Sequence, residues 1–142
     1  MRLAPFTSRV RQAFFEGNPQ NVEALCARYG SQIVQNKGSE KEAKRLETIT
    51  RNALGVLREE GLFAFYIYLQ YRLKEGGEVI WTQVRKLWQD KGVGPLLSGN
   101  GEEREQVIAL TESLNDILLA REVTERALIY ALYGLRAEKK DG

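Results

Sequence analysis

The chain has 142 residues, the size of a single domain, and carries a formal net charge of +2. Hydrophobic residues make up 43% of it and charged residues 28%, as in ordinary globular proteins, which argues against disorder for all but the ends. There is no histidine and one cysteine, which rules out an internal disulfide and argues against a zinc site. We therefore expect one helical domain over residues 1–142, with any flexibility confined to residues 1–19 and 138–142.

Hydropathy along the chain favours a cytoplasmic protein with no membrane partner. The longest strongly apolar stretch, residues 62–73, is shorter than the about 20 residues that a membrane-spanning helix needs. Near the N-terminus, Arg2, Arg9 and Arg11 are not followed by a long apolar run and a cleavage site, so a signal peptide is not predicted.

The charges are unevenly distributed. Residues 1–58 contain 10 lysines and arginines against 5 acidic residues, whereas residues 59–142 contain 11 against 14. The N-terminal part is therefore the side more suited to meeting a polyanion.

The first two predicted helices lie before residue 37. Thr7 to Glu16 are predicted to form a short helix, which ends before Pro19 because proline disfavours helix in the residue before it. Apolar residues then recur at helical spacing from Asn21 to Asn36, which predicts a second helix. Gly30, in the middle of this helix, is expected to weaken it.

The third predicted helix, Ser39 to Glu60, has the clearest signals. Ser39 and Glu42 form the capping-box pattern, in which the side chain of each residue bonds the backbone N–H of the other. Behind them, apolar residues trace one face of a helix. These residues are Ala43, Leu46, Ile49, Ala53, Leu54 and Leu57.

An aromatic and β-branched run, residues 62–69, follows Gly61 and has the composition of a strand. The run continues to Glu75 without turn residues, and a lone strand would leave its backbone groups unpaired, so we predict a fourth helix. Because this helix is apolar nearly all round, we place it at the centre of a bundle. Gly76-Gly77 separates it from a fifth helix with an apolar stripe. The stripe consists of Ile80, Val84, Leu87 and Trp88, with Trp81 beside it.

The C-terminal part combines one loop with a long helical pattern. Glycine-rich residues 91–101 predict a flexible surface connection, and Asn100 is expected to cap the helix that follows. Apolar residues continue at helical spacing to Leu135, with a bend or break expected near Ala120-Arg121. Together the elements predict an all-α fold, a single compact bundle of about five to seven helices.

No motif for catalysis, for a cofactor or for a metal ion stands out. The glycines of residues 91–101 do not follow the order of a phosphate-binding loop. Cys26 is expected to be a buried hydrophobe rather than a nucleophile, because no histidine can act as its base. The carboxylate pairs Glu59-Glu60 and Glu102-Glu103 point about 100° apart on a helix and are expected to be solvated. We accordingly predict that the chain is not an enzyme.

The positive feature is a row of cations on the third helix. Lys44, Arg51 and Arg58 are spaced by seven residues and share a face, with Lys41 and Arg45 beside them, which gives a ridge roughly 20 Å long at about 1.5 Å per residue. The alternative is an ordinary solvated face opposite the apolar one. The basic N-terminal part favours binding of nucleic-acid phosphates by this ridge, because lysine and arginine neutralise phosphate.

Two further groups are weaker candidates for a nucleic-acid contact. Arg85 and Lys86 on the fifth helix are cations outside the ridge. The aromatic residues of the fourth helix are assigned to the core rather than to a base-stacking surface. They are Phe63, Phe65, Tyr66, Tyr68 and Tyr71.

The sequence resembles a known family at two places. Residues 49–57 (ITRNALGVL), followed by a glycine break and an aromatic helix, resemble the small helical subunit of the type III-B CRISPR effector, the Cmr complex. So do residues 120–128 (AREVTERAL), with Tyr130, Leu132 and Leu135-Arg136 after them. The similarity extends over roughly residues 22–137.

This resemblance implies a non-catalytic subunit of antiviral defence that is present in several copies and stacks along the complex. Its partners would be guide RNA, target nucleic acid, other effector subunits and further copies of itself. No cofactor is implied, and cleavage would belong to other subunits. The alternative function is a protein-only helical adaptor or scaffold, in which an apolar helix docks a partner and the cations are merely solvated.

Overall fold

The structure, a computed structural model, describes residues 21–97 and 99–141. Within these residues the chain forms six α-helices and two short 3-10 helices, and no strand. The α-helices are α1 (Asn21–Gln35), α2 (Glu40–Glu60), α3 (Leu62–Tyr71), α4 (Gly77–Gln89), α5 (Glu103–Thr111) and α6 (Leu114–Asp141). The 3-10 helices are Leu73–Glu75 and Lys91–Val93. The predicted all-α bundle is confirmed, while the helix predicted at Thr7 to Glu16 lies outside the described residues.

The longest helix, α6, packs most extensively against α1 and then against α2. Along the first interface, the Cys26 thiol donates to the Val123 carbonyl at 3.4 Å, and Gly30 lies against Ala127 one turn further along both helices. The two helices therefore run parallel. A Cβ added at Gly30 would lie 2.6 Å from the Ala127 carbonyl oxygen, which is too close. Gly30 is thus the point where the two backbones approach each other, rather than only a weak point of its helix.

The boundaries of α2 agree with the prediction. The Ser39 hydroxyl accepts a bond from the Glu42 N–H at 3.2 Å, and the Ser39 N–H donates to the Glu42 carboxylate at 2.9 Å. The bond from the Ser39 N–H holds the pKa of Glu42 below its usual value. At the other end, Gly61 has a φ of 102° and its N–H donates to the carbonyl of Leu57. The buried residues of the predicted apolar face are Leu46, Ile49, Ala53, Leu54 and Leu57.

Aromatic side chains of α3 and α4 form the centre of the core. The rings of Trp81 and Trp88 meet edge to face with centroids 5.4 Å apart, and the Tyr66 ring lies 5.0 Å from that of Trp81. Trp88 is fully buried, and its Nε1–H donates to the hydroxyl of Thr124 on α6 at 2.8 Å. All residues of the predicted stripe of α4 are buried, which confirms that prediction.

α3 packs against four other helices, α2, α4, α5 and α6, but its sides are not all equally covered. One side of it is buried, and the buried residues are Leu62, Phe65, Tyr66 and Leu69. Phe63 and Ile67 are only partly buried, and Tyr71 is 74% exposed, so the assignment of Tyr71 to the core is wrong. A helix that is apolar all round gives no indication of which side its neighbours will cover. Among the described residues, no helix, α3 included, is both long and apolar enough to cross a membrane.

The C-terminal helices begin and end at other residues than expected. α5 ends at Thr111, and at the start of α6 the Ser113 hydroxyl accepts a bond from the Asp116 N–H at 3.3 Å. The helix then runs without a break through Ala120-Arg121, two residues of high helix propensity, so the break predicted there is wrong. The N-cap of α5 is Glu102 rather than Asn100.

The connection between α4 and α5 is partly anchored. Val93, Leu96 and Leu97 are buried, and the Leu96 N–H donates to the Trp88 carbonyl at 2.6 Å. The predicted surface connection is therefore wrong for the first half of residues 91–101. The glycines of this segment favoured a surface loop, although its three apolar residues, Val93, Leu96 and Leu97, belong to the core.

Candidate nucleic-acid interface

The five cations of the ridge are all exposed on α2. The apolar residues of α2 repeat every three or four positions and so form one buried face. The cations occupy positions between these repeats and lie on the opposite, exposed face. The ridge residues are Lys41, Lys44, Arg45, Arg51 and Arg58, as the sequence pattern placed them.

The ridge cations lie on two flanks of the exposed face. Lys44 lines a surface groove together with Leu135 and Glu138 of α6. Arg45 lines a separate groove on the other flank, together with Val79 of α4 and the 3-10 helix before it. The heptad series that starts at Lys44 therefore runs along the boundary with α6, and Arg45 faces away from it.

Four ridge cations carry no ion pair within the described residues. These four are Lys41, Lys44, Arg45 and Arg51. The fifth, Arg58, pairs with Glu125 of α6 at 3.1 Å, and both side chains are well exposed. An exposed pair contributes about 0–1 kcal/mol to stability, so an incoming phosphate can compete for Arg58.

Small or neutral residues occupy the centre of the exposed face. The Thr48 hydroxyl donates to the Lys44 carbonyl at 3.2 Å, so this hydroxyl is turned back toward the helix backbone. A Cβ added at Gly55 would meet no atom of the described residues within 4 Å, so there is room beside the helix at this position. The one acidic residue between Lys44 and Arg58 in sequence is Glu47, whose side chain is only 14% exposed. Between Lys44 and Arg58, α2 itself therefore presents no exposed carboxylate, whereas Glu40 and Glu138 lie beside Lys44 and Glu125 lies beside Arg58.

Arg136 on α6 is a cation that the sequence analysis did not assign to the site. Its guanidinium lies 3.5 Å from the carboxylate of Glu47 on α2. With the Arg58–Glu125 pair, this contact shows that α2 and α6 run antiparallel, which brings Arg136 to the ridge. The pattern of one helix cannot reveal this neighbour, because the register between two helices remote in sequence decides it.

Two of the other charged residues considered in the sequence, Glu103 and Arg85, form a structural contact. Glu103, expected to be solvated, accepts a bond from the Tyr66 hydroxyl at 3.2 Å and pairs with Arg85 at 3.3 Å. Burial, together with the charge of Glu103, raises the pKa of Tyr66. Arg85 is thus occupied in joining α4 to α5, while Lys86 is exposed beside a groove between α1 and α4.

Cys26 is fully buried, as predicted. Burial raises the pKa of its thiol to about 12, so the thiolate that a nucleophile needs is not formed near neutral pH. Within residues 21–97 and 99–141, no three acidic, cysteine or histidine side chains cluster as ligands of a metal ion.

No protein-family model matches the chain, and neither characterised proteins nor solved structures are detectably similar to it. Its function must therefore be argued from the surface of α2 and from the two sequence motifs.

Proposed function

We propose that this protein is a non-catalytic small subunit of a CRISPR RNA-guided effector complex of type III-B, acting in the cytoplasm. In this proposal α2 contacts phosphates of the guide RNA or its target, and other effector subunits and further copies of the chain are its neighbours. One observation carries the proposal: among the described residues, Lys41, Lys44, Arg45 and Arg51 share an exposed helix face without ion pairs.

The position of the two family motifs is compatible with this function. Residues 49–57 lie on α2 and residues 120–128 on α6, and these helices pack against each other. Arg121 donates to the carbonyls of Leu57 and Arg58, both at 3.4 Å, at the C-terminal end of α2. The motifs thus support the helix that carries the cations, and they supply no catalytic group.

The alternative, a protein-only adaptor, is favoured by the outer side of α3. Tyr71 is 74% exposed there, and Phe63 and Ile67 are only partly covered. An apolar helix side of this kind can dock a partner helix. The two functions differ in what a change of salt concentration does to binding.

A charge-neutralising variant tests the contact with phosphates. We expect the triple variant Lys44→Gln, Arg45→Gln, Arg51→Gln to lose affinity for RNA of unrelated sequences, because phosphate contacts carry no sequence information. Four neutralised phosphates give a slope of log affinity against log salt of about −3 for a single strand, and one contact gives about −0.7. The measurement is RNA affinity between about 50 and 200 mM salt, with the protein free and in its complex. Glutamine keeps the helix propensity high and avoids new repulsion with Glu47.

A second triple variant controls for net charge. Arg28→Gln, Lys91→Gln, Arg104→Gln removes the same charge from exposed positions on other elements. We expect this variant to keep both the affinity and the salt slope of the parent. Equal losses in the two triple variants would mean that only net charge matters, and no loss in the first would leave the adaptor as the explanation.

Membership in the complex has a separate test. The chain, tagged and purified from its source cells, should co-purify with guide RNA and with several effector subunits. Purification with protein partners alone, free of RNA, would contradict the proposal.

A further inference from the structure

An exposed tyrosine lies beside the cations on α6. Tyr133 is 65% exposed, although tyrosine rings in a helix of a bundle are usually covered. Ile129 and Tyr130, one turn before it, are partly buried and pack against the core. Tyr133 therefore lies on a part of α6 that is fixed against the core.

The register of α2 and α6 places Tyr133 at the height of Arg51 along the two helices. The pairs Arg58–Glu125 and Glu47–Arg136 join the two antiparallel helices, and the same number of residues separates the two pairs on each helix. Tyr133 precedes Arg136 by one turn, and Arg51 follows Glu47 by one turn. Both therefore lie at about the same height along the interface, and this height corresponds to the middle of the cationic series on α2.

The charges around Tyr133 favour a polyanion. Four acids near this side are paired: Glu47, Glu122 and Glu125 each with an arginine, and Glu138 with Lys37. Lys44 and Arg51 carry no such partner within the described residues, which leaves the surface with an excess of positive charge.

We infer that Tyr133 stacks on a base of the strand whose phosphates lie along α2, and that the interface accepts single-stranded nucleic acid in preference to a duplex. The inference rests on the proposed function. A single strand exposes the faces of its bases, and an aromatic ring next to cations binds both base and backbone. In a duplex the base faces are already stacked, so Tyr133 would have nothing to contact and only phosphates would bind.

Tyr71 provides the matched comparison. It is 74% exposed, but it lies at the end of α3, and the Arg72 guanidinium lies 5.0 Å from the centroid of its ring. One face of the Tyr71 ring is thereby engaged. Replacing Tyr71 removes the same exposed side chain without altering the surface between α2 and α6.

The test compares Tyr133→Ala, Tyr133→Phe and Tyr71→Ala in the full chain, with an oligouridylate and an RNA duplex of equal length as probes. Because one stacked base is worth about 1–3 kcal/mol, Tyr133→Ala should bind the single strand about 5- to 150-fold more weakly. Its affinity for the duplex should be unchanged. Tyr133→Phe keeps the ring and should bind like the parent, as should Tyr71→Ala.

Cross-linking gives an independent measurement. Under ultraviolet light, a 4-thiouridine in the single strand should attach to the peptide that contains Tyr133. If Tyr133→Ala binds the single strand like the parent while the Lys44, Arg45, Arg51 triple variant does not, stacking is refuted and the phosphate contact stands. Equal weakening for single strand and duplex also refutes stacking. If the parent binds neither RNA, and instead retains a protein partner through Tyr133, both proposals fail.

Discussion

Two glycines inside helices show how surroundings decide the role of a residue. Gly30 in α1 and Gly55 in α2 both have helical conformation and look equally unfavourable in the sequence. A Cβ at Gly30 would lie 2.6 Å from the Ala127 carbonyl oxygen, whereas a Cβ at Gly55 would meet nothing within 4 Å. Only the first glycine is required by packing, and no local pattern distinguishes the two.

Alanine substitutions at these glycines should have opposite effects on the free energy of unfolding. Gly55→Ala should stabilise the protein by about 0.5–1 kcal/mol, because alanine restricts the unfolded chain and suits a helix. Gly30→Ala gains the same propensity but must separate α1 from α6, and overpacking costs about 1–3 kcal/mol. We expect Gly30→Ala to be destabilised in urea unfolding. Stabilisation of both variants would show that the α1–α6 crossing is looser than the structure indicates.

At the scale of whole helices, local signals predicted the fold best. α2 begins at its capping box and ends at Gly61 as expected, because both signals act within a few residues. The exposure of Tyr71 at the end of α3 and the boundary at Ser113 were not predicted. A helix that is apolar all round does not indicate its neighbours, and Ser113 is a single capping residue inside an uninterrupted apolar periodicity.

As with the fold, the part of the candidate interface that depends on local sequence was predictable, and the part that depends on contacts between helices was not. Exposure of the ridge followed from the amphipathic pattern of α2 alone. The pairing of Arg58 with Glu125 and the positions of Arg136 and Tyr133 depend on how α6 is aligned with α2. Such an alignment is a tertiary property, so these neighbours could not be found from one helix.

The capping box of α2 is expected to contribute to the stability of the protein. Ser39→Ala removes the acceptor of the Glu42 N–H and should lower the free energy of unfolding by about 1 kcal/mol. Ser31→Ala is the control, because Ser31 is exposed in the middle of α1 and its loss should change stability by less than about 0.5 kcal/mol. Chemical denaturation measures both values. Equal stabilities of the two variants would mean that the box does not hold the start of α2.

At the scale of the whole molecule, one core connects all six described helices. Its buried cluster draws residues from α1 through α6 and from the connection at Val93, Leu96 and Leu97. Two buried hydrogen bonds tie α6 into this core, from the Cys26 thiol of α1 to the Val123 carbonyl and from the Trp88 indole N–H of α4 to the Thr124 hydroxyl. A single core of this kind predicts cooperative unfolding.

Unfolding of the described helices is therefore expected to be cooperative. The only tryptophans of the chain, Trp81 and Trp88, are both buried in α4, so tryptophan fluorescence reports the centre of the core while circular dichroism reports every helix. We expect the two urea transitions to superimpose. Thr124→Val leaves the indole N–H of Trp88 buried without a partner, which costs about 1–3 kcal/mol, and both transitions should move together to lower urea. Loss of helix before the change in fluorescence would show that α5 and the exposed start of α6 at Leu114 unfold separately, because those segments contribute fewest residues to the shared core.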